Sequence, residues 1–123
     1  MSAQSFIVRK VLMSLNSIAQ AGTEYSDAIA FDVCEGELAL LVVSTAGTVT
    51  ISQQVSLDNV TFYDPVDSAG SALGVICTAK AVTAGSYIAI NPVVAPYSRF
   101  KVTETNTAAT IVSLTVTFRA SRR

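Results

Sequence analysis

The chain has 123 residues, half of them hydrophobic and only 14% charged, with no histidine and a formal net charge of −1. That length fits one domain, and the scattered basic residues exclude a nucleic-acid ligand, which needs a clustered Lys/Arg face. Without histidine neither the usual Ser/His/Asp and Cys/His relays nor a zinc site of ordinary spacing can be built, and no apolar run approaches the roughly 18 residues of a membrane-spanning helix.

Residues 1–20 read as an N-terminal extended segment or edge strand, and 21–123 as a β-sandwich domain. In SFIVRKVLMSL, Phe6 and Val8 alternate while Ile7, Val11 and Leu15 keep helical spacing. Because the rest of the chain reads as β, the extended form is expected, and such a segment can add to a neighbour's sheet edge. Arg9 and Lys10 before VLMSLNSIAQA give a weak likeness to a secretion leader, but Ser14, Asn16 and Ser17 break the apolar run. Residues 16–21 read as a polar link.

A strand is expected at 28–33. ELALLVVSTA is apolar at almost every position, the pattern of a strand covered on both faces. Ala46-Gly47 is the next turn. TVTISQQVSL then alternates, with Val49, Ile51, Val55 and Leu57 expected inward and Thr50, Ser52, Gln54 and Ser56 outward. Further strands are expected at 61–63, 72–79 and 87–90. In RFKVTE, Phe100 and Val102 face one way, and Arg99, Lys101 and Thr103 the other. TIVSLTVTFRA sets Val112, Leu114, Val116 and Phe118 against Ser113, Thr115, Thr117 and Arg119. Asn106-Thr107 fits a turn joining these last two strands as an antiparallel hairpin. About eight short strands separated by Gly, Pro, Asn and Asp give an all-β fold: a single antiparallel β-sandwich, jelly-roll-like or immunoglobulin-like.

QVSLDNVTFYDP concentrates acids: Asp58 and Asp64, with Asp67 close behind. Asp58-Asn59 falls where a tight turn belongs, because both residues tolerate left-handed backbone and bond nearby amides. Asp64-Pro65 ends the following strand, since proline offers no amide to a ladder. These four are read as structural turn residues. A calcium site from Asp58, Asn59, Asp64 and Asp67 is the competitor, although the EF-hand spacing is missing. A glycosidase-type pair would need Asp64 near Glu104 or Glu35. Cys34 and Cys77 sit in apolar runs and read as buried thiols. No cofactor, metal, catalytic residue or small-molecule substrate is expected.

Ser56, Asp58, Thr61 and Phe62, followed by Tyr97, Arg99, Phe100, Lys101, Val102 and Thr103, form a pattern that resembles tailed-bacteriophage virion structural proteins. In those, a strand ending S-x-D-G-x-T-[FW] pairs with a late Y-x-R-[FIL]-K-V-T strand. Asn59 stands here where that pattern has Gly. The resemblance spans the second half of the chain and implies a small β-sandwich that acts by binding. It implies residence in the virion, after assembly in the host cytoplasm. The expected function is therefore a non-enzymatic capsid decoration or cement protein, contacting the major capsid protein or other virion proteins. Such a protein would form homo-oligomers, with trimers expected. The alternatives are a neck or tail subunit, or a carbohydrate-binding module for host recognition. Phe6, Ile7, Val8, Tyr97, Arg122 and Arg123 are the expected interface residues. The low charge content agrees with a surface partly covered in an assembly, since a globular chain averages about 25% charged residues.

Overall fold

The computed structural model describes residues 4–30 and 35–122. Among the described residues there is no helix, and nine strands form two packed antiparallel sheets. They are β1 (Gln4–Ile18), β2 (Thr23–Tyr25), β3 (Ile29–Ala30), β4 (Glu35–Ser44), β5 (Val49–Ser56), β6 (Val75–Lys80), β7 (Ser86–Ile90), β8 (Tyr97–Glu104) and β9 (Thr110–Arg122). Sheet A runs β1-β9-β4-β7. Sheet B runs β2-β8-β5-β6, with β3 also paired to β8.

Alternation drives the burial. Val112, Leu114, Val116, Phe118 and Ala120 of β9 join Leu38, Leu40 and Val42 of β4 on the inner face of sheet A. Val49 and Ile51 of β5 meet them from sheet B with Phe100 and Val102 of β8. Branched side chains suit this pleated interior because their χ1 freedom is already small. Edge strand β1 enters the core through Leu12, Met13 and Ile18. Its register with β9 slips between Val11 and Met13, and a bulge there turns the consecutive Leu12 and Met13 both inward.

Several expectations are corrected. β8 and β9 do not form a hairpin: β8 pairs with β5, β2 and β3, whereas β9 pairs with β1 and β4, so residues 105–109 cross between sheets. Alternation sets which face of each strand is buried and leaves the neighbouring strand open, so the short connection does not impose a hairpin. Residues 45–48 cross likewise from β4 to β5. β4 is covered on one face only; Leu41 and Val43 lie exposed on the outer face of sheet A. On β5, Leu57 points to solvent, and buried Gln53 takes the inward place beyond Ile51. Gln54 and Ser56 do face outward, yet they are buried, because residues 57–74 fold back over them. The strand expected at 61–63 reduces to one bridge, Val55 to Tyr63. Of the strand expected at 28–33, β3 is present and residues 31–34 lie outside the described residues.

Register fixes which loops share an end. Ser56 pairs with Tyr97, Leu38 with Ile90, and Gln4 with Arg122. One end therefore carries residues 57–74, residues 91–96, the start of β1 and the end of β9. Residues 19–22, 45–48, 81–85 and 105–109 lie at the other.

Candidate functional site: the hairpin end of the sandwich

The hairpin after β5 is built by two side chains. The Ser56 hydroxyl accepts from the Asp58 and Asn59 amides at 3.3 and 2.9 Å. Asp58 Oδ1 accepts from the Val60 and Thr61 amides at 2.9 and 3.0 Å, and from Ser56 Oγ at 3.0 Å. Asn59 sits at φ 61°, the left-handed backbone that asparagine tolerates. The amides of Thr61 and Val60, then the Ser56 hydroxyl, hold the Asp58 carboxyl below its ordinary value. All three of these donors converge on Oδ1. Asp67 builds a second turn through the amides of Ala69 and Ser71, both at 2.9 Å. Among the described residues, no group of three His, Cys, Asp or Glu could hold a metal ion.

Arg99 pins this excursion to sheet B. Its guanidinium lies 4.2 Å from the Tyr25 ring centroid and 4.1 Å from that of Phe62. Nε donates to Gln54 Oε1 at 2.9 Å, and Gln54 Nε2 donates to Asp64 Oδ1 at 2.9 Å. Pro65 is buried and its carbonyl accepts from Leu73 N at 2.8 Å, closing the base of the loop. Gln53 exchanges two hydrogen bonds with the Val93 backbone, at 2.9 and 3.0 Å, tying residues 91–96 to the same end.

The resulting tip is closed by hydrogen bonds yet apolar. Leu57 and Val60 are each 80% exposed, and Val94 is 93% exposed. Tyr63 and Val66 are exposed beside them. Phe6 and Ile7 of β1 are exposed at this same end, opposite Ala120 and Arg119. Val8 is half-buried against the core. Tyr97, half-buried, starts β8 between Ser56 and Ala30. The backbone of Arg122 pairs with Gln4. Arg123 lies outside the described residues, as does Cys34.

Glu104 was not foreseen as a structural centre. It is 1% exposed and lies at the opposite end. Its carboxylate accepts from the amides of Ala21 and Thr107 at 3.0 Å and from the Thr107 hydroxyl. Burial raises its pKa, but the Thr107 hydroxyl and the amides of Ala21, Thr107 and Ala108 outweigh that and lower it to about 2. Gly47 faces it at φ +67°; an added Cβ would stand 2.7 Å from Thr107 Oγ1. Asp64 and Glu104 are not a catalytic pair: they flank opposite ends of β5, where Tyr63 meets Val55 and Glu104 meets Val49. Six residues of strand separate those contacts by about 20 Å, against the roughly 5–9.5 Å a glycosidase pair requires. Of the unforeseen residues, the Arg99 clamp had a signal in Tyr97-x-Arg99; Gln53 and Glu104 had none beyond their place in alternating strands.

Compared with models of known protein families, the chain matches none, and no curated protein matches it significantly.

Proposed function

We propose that this protein is a non-enzymatic virion component, a capsid decoration or cement protein that seats its hairpin end on assembled shell. The observation that carries the reading is the group of exposed apolar side chains there: Leu57, Val60 and Val94, on loops held by Ser56, Asp58, Arg99 and Gln53. Preorganised apolar tips bind with little ordering cost, which suits a protein that works by fitting. Binding only the assembled state stabilises that state by mass action.

The finer fold assignment supports the same reading. Numbered in chain order, the sheets run 1-9-4-7 and 2-8-5-6. Setting aside the two-residue β3, that order supports a jelly-roll reading of the sandwich, an architecture that recurs in viral capsid and lectin domains. Fold alone does not fix function, so the site and the resemblance of residues 56–62 and 97–103 to phage virion proteins bear the weight.

The test is electron microscopy of virions carrying the labelled protein, with sedimentation of purified expanded shells mixed with it. Density on the shell surface, and loss of co-sedimentation for Leu57→Glu/Val60→Glu, is the expected result. Label confined to tails, or equal co-sedimentation of the variant, overturns the proposal.

A further inference from the structure

The outer face of sheet A is a second uncovered surface, distinct from the hairpin tip. In one row across the sheet lie Arg9, Thr117, Ala39 and Ala89; in the next, Val11, Thr115, Leu41 and Tyr87. Below them Val43 pairs with Ser113. From Val11 downward this face carries aliphatic and hydroxyl side chains only. Tyr87 is 62% exposed, and its hydroxyl bonds Thr117 Oγ1 at 2.7 Å, so the ring is laid across β4. A shallow hollow of about 230 Å³ opens over Ala39 and Ala89, rimmed by Ile7, Glu37, Tyr87 and Arg119. β4 itself has the composition of a strand covered twice, yet among the described residues it is covered once.

We propose that this face packs on the same face of a second copy, about a two-fold axis running along the strands between β9 and β4. An isologous contact must be self-complementary. The axis sets β9 of one copy over β4 of the other, and β1 over β7. Arg119 of each copy then lies over the start of its partner's β4, where its register row is that of Glu35 and, across the bulge that follows, Glu37 rims the hollow. Val11 faces Tyr87, and Thr115 faces Leu41, each pair occurring twice. Like charges do not meet: Arg9 lies over the partner's Ala89, on the outermost strands of the contact.

Size sets the strength. Four strands about 4.8 Å apart and some nine residues long cover on the order of 500 Å² per copy, about 1,000 Å² for the pair. That is near the lower limit for a specific interface, where association is weak and concentration-dependent. Dissociation constants in the range of ~10 μM to ~1 mM are expected, so pairing would be favoured where copies are crowded together.

The inference specifies the self-association in the decoration reading, and it is tested without shells so that either can fail alone. Sedimentation equilibrium of the full chain from about 1 μM to about 1 mM should show reversible dimers. Leu41→Glu, and separately Arg119→Glu, should weaken association at least tenfold. The double variant Arg119→Glu/Glu37→Arg should regain it, because the charge pair is restored in reverse. Lys101→Glu, on the outer face of sheet B, should leave it unchanged. Far-UV circular dichroism and melting temperature confirm that each variant is folded; should Leu41→Glu not fold, Thr115→Glu replaces it. A wild-type chain that stays monomeric throughout, or a double variant no better than Arg119→Glu alone, overturns the proposal.

Discussion

Replacing Arg99 by methionine removes the clamp while keeping much of its packing volume. The structure supplies the terms. Two ring contacts at 4.2 and 4.1 Å are lost, worth about 0.5–1 kcal/mol each at a half-buried site. Gln54 Oε1 loses its donor, and Gln54 is only 7% exposed; stranding such an acceptor costs about 1–2 kcal/mol. The sum is about 3 kcal/mol. Unfolding entropy near 2.1 cal/mol/K per residue, taken over 123 residues, converts this to a fall in melting temperature of about 12 °C. Calorimetry measures it. Hydrogen exchange locates it: the Asn59, Val60 and Thr61 amides should lose protection before those of β9, because the clamp holds only the excursion. Arg99→Lys should lose nearly as much, since an ammonium cannot lie as a plane between two rings. A drop of less than about 2 °C with unchanged exchange in residues 57–74 would refute the reasoning.

Glu104 gives the acid limb of the stability curve. Its pKa in the folded chain, about 2, lies below the ordinary 4.5, so its stabilisation is complete above the unfolded value and is lost as pH falls from about 5 towards 2; Glu104→Gln should lower stability at pH 7 and flatten that slope in urea titrations. Asn59 at φ 61° predicts that Asn59→Gly changes stability by only a few tenths of a kcal/mol while Asn59→Val costs about 1–2 kcal/mol, both read from denaturant midpoints. Burial raises the Cys77 thiol pKa above 9.0, offset in part by the Ile51 amide and then Lys80; alkylation by iodoacetamide at pH 8 should be slower than for a small free thiol, and equal rates would show the side chain to be open.

Period-two patterns were legible wherever the chain packs one face only. β8 and β9 follow the expected alternation residue by residue, as do Asp58-Asn59 at the turn and β7 at its place. What failed was pairing, for a physical reason: alternation fixes which face is buried but says nothing about which strand lies alongside. The 8–9 turn was short enough for a hairpin, yet Asn106 and Thr107 instead serve to bond Gln20 and Glu104 as the chain crosses between sheets. Gln53 and Glu104 were invisible because a buried polar group is defined by partners distant in sequence, Val93 and Ala21. β4 misled in a more informative way. Its apolar outer residues are real, and the cover they imply is not supplied by the described residues, which is the reason to seek it in a second copy.

Strand order also makes a kinetic prediction. β1 and β9 form the longest pairing, from Gln4 with Arg122 to Ile18 with Thr110, and they close a loop of nearly the whole chain. The entropy of closure grows as (3/2)RT ln n, so sheet A cannot be completed cheaply until both ends are present. Gln4 and Arg122 are direct register partners, and so lie about 5 Å apart. A flexible linker of about ten glycines and serines spans that gap with slack, with new termini opened between the exposed Thr83 and Ala84 in the β6–β7 connection, a cut that keeps β5–β6 pairing local. The loop closed by β1 and β9 shrinks from about 100 residues to about 10, which lowers closure cost by about 2 kcal/mol. With that pairing half-formed in the transition state, refolding should accelerate about fivefold, and up to thirtyfold if it is fully formed. Stopped-flow refolding of the two chains, matched in circular dichroism and urea midpoint, makes the comparison. A permutant equally stable but no faster would show that β1 docks after the barrier, and that the crossings between sheets, through residues 45–48 and 105–109, set the rate instead.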